Sequence, residues 1–145
     1  MNDQIIDLQD SNQNRIDALK KSSGMTLLFS IIGISLSAFY PLFSLLTTAV
    51  AAIPLPVIGL VISIVFFIIE IAMAGGAAFC SVFAIVRAII FLVKNRDLGN
   101  SDDEKKARIF NIISLCLGAG GVIIFFTGLI GVVILNMLEF ILALI

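Results

Sequence analysis

The chain has 145 residues, 60% hydrophobic and 13% charged, with a net charge of −1. Soluble chains average roughly 45–50% apolar and about 25% charged, so this composition belongs to a membrane. It excludes nucleic-acid binding, which needs a basic patch or stripe, and the absence of histidine removes the commonest general base and metal ligand.

The first 24 residues, "MNDQIIDLQDSNQNRIDALKKSSG", carry four acids against three bases. That is not the short, positive start of a cleaved signal peptide. Ile5, Leu8, Ile16 and Leu19 recur at roughly helical spacing. The spacing predicts a short amphipathic arm on the membrane surface or against a partner; a partly disordered terminus is the alternative.

Met25–Ala52 contains no charge. As a helix it would reach about 42 Å, against a hydrocarbon core of about 30 Å. One tilted crossing is expected, with Pro41 marking a kink. "AIPLPV" follows. Its prolines, Pro54 and Pro56, remove two backbone donors and disfavour helix before them, which predicts a tight turn.

Val57–Val93 holds only two charges, Glu70 and Arg87. It is too long for one ordinary crossing and barely long enough for two. A hairpin at Gly75-Gly76 would put the N-terminal arm and the next charged segment on opposite sides. Both carry Lys and Arg near a membrane edge, so the positive-inside bias favours an even number of crossings between them. Ser63, Glu70, Ala77 and Ala84 also recur every seven residues, which places them on one face of a single helix. One tilted helix over 57–93 is expected.

The charged loop 94–108, "KNRDLGNSDDEKKAR", ends in a helix start. Asn100 or Ser101 can cap it, and acids fill the first turn. The last block, 109–145, carries one charge, Glu139. It is either one crossing with an interfacial or packed tail, or a hairpin turning near Thr127-Gly128. The hairpin leaves almost no residues for its turn. The expected fold is therefore an all-α integral membrane protein with three long helices, about 25–52, 57–93 and 109–145. Four crossings are the alternative. The polar arm 1–24 precedes this single transmembrane domain, 25–145.

Small residues form a stripe on each helix: Ser30, Gly33, Ser37, Pro41 and Ser44; the set containing Ser63 and Ala77; and Ser114, Gly118, Gly121 and Gly128. Such stripes let helix backbones approach closely. Glu70 stands out, because a charge at the bilayer centre costs roughly 3 kcal/mol. It fixes helix packing, contacts another subunit, or holds an ion or proton. Arg87 lies about 25 Å further along the same helix and cannot partner it there. Arg87 and Glu139 are expected as anchors at the membrane interface. The glycine-rich segments 74–79 and 118–121 follow no strand and supply no lysine, so they are not phosphate cradles. Cys80 and Cys116 are expected to act as small apolar side chains.

No acidic pair lies within the apolar blocks at a spacing that would juxtapose it, and no serine has a base on a neighbouring turn, so catalysis, a cofactor and a metal are not expected. The sequence points first to a non-catalytic structural or accessory subunit of a larger membrane assembly. A homo-oligomeric, holin-like pore and an ion-translocating subunit using Glu70 are the alternatives. The expected partners are the lipid bilayer and other membrane subunits or further copies, with no nucleic acid. A plasma or cell inner membrane is the expected location, with the N-terminus and loop 94–108 cytoplasmic.

Overall fold

The computed structural model describes residues 2–51, 58–96 and 101–144. They form three helices: α1 (Asn2–Ala51), α2 (Ile58–Lys94) and α3 (Asp102–Leu144). Each is long and apolar enough to cross a membrane. The proline turn predicted over 52–57 and the side chain of Glu139 lie outside the described residues.

α1 alone measures about 75 Å along its axis. The polar segment and the first apolar block are continuous within it, and the helix also runs through Pro41. The polarity change at Gly24 marks a change of surroundings, not a break in backbone hydrogen bonding. α2 passes through Gly75-Gly76 and α3 through Gly128 without a turn, giving three crossings rather than four. α3 begins inside the segment expected as loop: the Ser101 hydroxyl accepts from the Glu104 backbone N–H at 3.4 Å and donates to its carboxylate at 3.0 Å. Asp102, Asp103 and Glu104 occupy the first turn, where the helix dipole favours negative charge.

A heptad seam holds the bundle. On α1 the buried positions are Ser23, Thr26, Ser30, Gly33, Ser37, Tyr40 and Ser44; on α2, Ala77, Ser81, Ala84, Ala88 and Phe91. On α3 they are Ala107, Asn111, Ser114, Gly118 and Gly121. Spacings alternate between three and four in all three helices, the pattern of left-handed packing. The hydroxyls of Ser23, Ser30, Ser37 and Ser114 donate to carbonyls of their own helices, as in Ser37 to Gly33 at 2.8 Å and Ser114 to Phe110 at 2.7 Å, whereas that of Ser81 is buried without a partner. Large aliphatic side chains such as Leu28, Ile68 and Ile123 point outward, the reverse of a water-soluble bundle and the arrangement that lipid permits.

The seam closes most tightly around Ser81. A Cβ on Gly33 would stand 2.6 Å from the Ser81 hydroxyl and 2.9 Å from its backbone nitrogen, and one on Gly121 would stand 2.7 Å from the same hydroxyl. Away from this crossing the bundle is asymmetric. Among the described residues none of 60–76 on α2, and none of 122–141 on α3, is buried. The inward-facing residues there are Phe66, Glu70 and Ala74 on α2 and Phe125, Gly128 and Val132 on α3, all only partly covered. Phe66 and Phe125 are bulkier than the small residues of the closed half, while Gly128 still packs against Pro41.

Gly33→Ala should destabilise the bundle by about 1–3 kcal/mol, the usual penalty of overpacking. Gly75→Ala, whose Cβ would meet nothing within 4 Å, should be neutral or stabilising by up to about 1 kcal/mol. Unfolding in mixed micelles titrated with dodecyl sulfate, followed by circular dichroism, reads the difference.

Candidate functional site: a polar cleft at the open end

Where the seam opens, the three helices enclose a cleft of about 460 Å³. α1 contributes Tyr40, Ser44, Thr47 and Thr48; these are one and two turns apart, so they share a face. α2 contributes Glu70 and α3 contributes Asn136, with Phe67, Ile71 and Val132 as apolar walls. The hydroxyls of Thr47 and Thr48 donate to the carbonyls of Phe43 and Ser44 at 3.0 and 3.1 Å. Their oxygens keep acceptor capacity toward the cleft. The Tyr40 ring is held against Phe125, with centroids 5.4 Å apart.

Glu70 is half-buried and, among the described residues, has neither a hydrogen-bond donor nor a cation within ion-pair distance. All the polar groups around it present oxygen or amide functions. Such a surround suits a proton, a hard cation or a polar side chain from another helix. No three His, Cys, Asp or Glu side chains converge to hold a metal among the described residues.

Arg87 is not brought to Glu70. Its guanidinium lies 5.5 Å above the Phe83 ring, towards the charged end. Of the packing candidates, Ser30, Gly33, Ser37, Ala77, Gly118 and Gly121 are buried in the seam, whereas Ser63 is only partly covered. A Cβ on Gly128 would lie 3.3 Å from the Pro41 ring, so proline and glycine pack against each other across α1 and α3. Both cysteines are free thiols, and Cys116 faces outward rather than into the bundle. Of the arm's apolar residues, Ile16 and Leu19 are half-covered. Ile5 and Leu8 lie outside the described side chains.

Sequence reasoning missed Asn111. Its side-chain N–H group donates to the Ser23 hydroxyl at 2.9 Å and to the Ala107 carbonyl at 2.8 Å, while its amide oxygen is buried without a partner. The signal was present: Ala107 and Asn111 extend the Ser114–Gly118–Gly121 stripe backward at the same spacing. Below this bond the arm is tied to α3 by Lys20–Asp103 at 3.2 Å and Arg15–Glu104 at 3.9 Å. These are surface pairs, each contributing about 0–1 kcal/mol.

Asn111→Leu removes the interhelical bond and should cost about 0.6 kcal/mol and at most about 1.7 kcal/mol, the average and the maximum found for such bonds in a membrane protein. Ser23→Ala in the same background should add little. A double-mutant cycle read by dodecyl sulfate unfolding checks both.

No protein-family model matches the chain, and no curated protein or solved structure matches it either.

Proposed function

We propose that this protein is a non-catalytic subunit of a membrane assembly, and that its open end receives a polar side chain from a partner helix. One observation supports this most: Glu70 occupies a seam position, half-exposed at membrane depth and without a protein partner among the described residues. A membrane carboxylate facing a cleft is stable only when it is protonated, neutralised or hydrogen-bonded. Helix association in lipid relies on close packing and such polar contacts, because lipid tails are as apolar as leucine. The open half of the bundle supplies the vacant contact surface, and the closed half keeps it in shape.

A second reading rests on the chemistry of the same cleft. Tyr40, Ser44, Thr47, Thr48 and Asn136 surround one carboxylate with oxygen-bearing groups, which fits a subunit that passes a proton or a hard cation through Glu70. For either reading we place the protein in a plasma or cell inner membrane. The basic residues of α1 and of the α2–α3 segment share one end of the bundle, which the positive-inside bias assigns to the cytoplasm.

Isolation of the tagged chain in mild detergent should recover associated membrane chains. Glu70→Gln keeps hydrogen-bonding capacity and should retain them. Glu70→Leu should lose them while unfolding no more easily than the unaltered protein. Undiminished recovery with leucine rules out the docking role of Glu70. A ring of this chain alone points instead to self-assembly into a pore. If Gln abolishes an ion-coupled activity while the assembly survives, the cleft is an ion site.

Orientation has its own check. With Cys80 and Cys116 replaced by alanine, Lys20→Cys and Lys105→Cys should react with a membrane-impermeant maleimide only after lysis. Leu55→Cys should react in intact cells.

A further inference from the structure

A second cleft, of about 360 Å³, lies between α1 and α2 at the other end of the bundle. Arg15, Arg87 and Lys94 line it with Ser22 and Asn95, and among the described residues no acidic side chain lines it. The convergence follows from spacing and direction. Arg15 and Ser22 are seven apart on α1, as Arg87 and Lys94 are on α2, so each pair shares a helix face. The two helices run antiparallel, as the contacts Phe29–Phe83 and Phe43–Phe66 show. The two pairs therefore meet across the seam.

The three cations are poorly compensated. Among the described residues Arg87 and Lys94 have no carboxylate within ion-pair distance. Arg15 reaches Glu104 only at 3.9 Å, with its side chain 59% exposed. Asn95 spends its amide N–H on the Phe91 carbonyl at 3.0 Å, leaving its oxygen and the cations to face the cleft. Like charges gathered around one cavity repel unless an anion lies between them. The depth of the cleft identifies which anion. Arg87 lies about 10 Å along the helix inside Lys94, the last residue of α2, so the cleft straddles the passage from apolar to charged sequence. Leu19, Ile90 and Phe91 give it an apolar floor. A ligand that fits both parts carries a phosphate on an apolar body.

We propose that this cleft binds the phosphate of an anionic phospholipid, with Arg87 and Lys94 on the phosphate and Arg15 closing over it from α1. Basic pockets between membrane helices at the headgroup level hold anionic lipids in this way. Free inorganic phosphate offers the same charged group without the apolar body.

Native mass spectrometry of the full chain tests the assignment, after exchange into micelles holding equal amounts of phosphatidylglycerol and phosphatidylcholine. The expected result is retention of phosphatidylglycerol over phosphatidylcholine, with each cation removed (Arg87→Gln, Lys94→Gln, Arg15→Gln) lowering that preference about fivefold. Arg87→Lys should keep most of it. Arg15→Gln, at an exposed position of α1, keeps the test valid if Arg87→Gln fails to fold. Lys105→Gln with Lys106→Gln, two exposed bases at the same end but outside the cleft, should leave the preference unchanged. An equal loss in that control variant reduces the effect to diffuse charge and overturns the site, as does equal retention of both lipids by the unaltered protein. Displacement of the lipid by millimolar inorganic phosphate overturns the lipid assignment and makes the cleft a phosphate site.

Discussion

The close approach of three backbones at Gly33, Ser81 and Gly121 is the contact on which the rest of the bundle depends. In water, helices are driven together by burial of apolar surface. In lipid that drive is missing, and association comes from van der Waals packing at short range and from interhelical hydrogen bonds. Short range requires small side chains. Here the requirement is met so closely that a methyl group on either glycine would stand within 2.7 Å of the Ser81 hydroxyl. That hydroxyl is itself buried without a hydrogen-bond partner. The seam thus favours backbone proximity over complete polar satisfaction at its narrowest point.

The same contact explains why the two ends differ. A heptad seam repeats regularly, but the volumes placed on it do not. From Ala77 to Ala88 on α2 and from Ala107 to Gly121 on α3, the seam residues are small. Beyond them come Phe66, Glu70 and Phe125, none of them buried, and close packing survives only locally, as at Pro41 and Gly128. Tyr40 and Ser44 on α1 remain buried, so the open end is a cleft against α1 and not a loss of structure. The magnitudes decide what Glu70 needs. A carboxylate costs at most roughly 3 kcal/mol, its value at the bilayer centre, whereas a single interhelical hydrogen bond in lipid returns only about 0.6 kcal/mol on average. One neighbouring hydroxyl does not offset the charge. A proton, a cation or a stronger polar partner does.

Much of the architecture was legible in the sequence because lipid imposes a simple rule. Uninterrupted apolar blocks must be helices, since no other open structure satisfies its backbone in hydrocarbon. The positive-inside bias and the seven-residue repeat argued against a hairpin at Gly75-Gly76, whereas the one near Gly128 stayed open until α3 proved continuous. The small-residue stripes were visible as spacings, and a cap at Asn100 or Ser101 followed by acids as a pattern. What could not be read is what depends on the register between helices. The seven-residue repeats containing Arg15 and Arg87 are obvious once paired, yet pairing them requires knowing that α1 and α2 cross at Gly33 and Ser81. The continuity of α1 was obscured for another reason. Polarity reports the medium around a helix, and the shift from Lys21 to Met25 was readable as a boundary although the hydrogen-bonded backbone ignores it. Asn111 was overlooked because one amide in an apolar block draws less notice than a charge, although among the described residues it forms the only hydrogen bond between uncharged side chains of different helices.

Helix length connects the two clefts. If Arg87 sits at the headgroups, a helix tilted by the average of about 20° crosses the hydrocarbon in about 21 residues. Counted back along α2, that distance ends near Phe66. Glu70 then lies about one turn inside the far edge of the hydrocarbon, where its cost falls below the midplane value but water still does not reach it freely. Leu60–Val65, apolar except for Ser63, would project beyond the lipid on the same side. Neither steep tilt nor local thickening of the bilayer would supply Glu70 with a partner. A neighbouring helix laid along the open half does both: it covers the projecting turns and brings a polar group to the carboxylate. Excess length and an unpartnered carboxyl group occur at the same end of the bundle, and the partner helix proposed above would account for both.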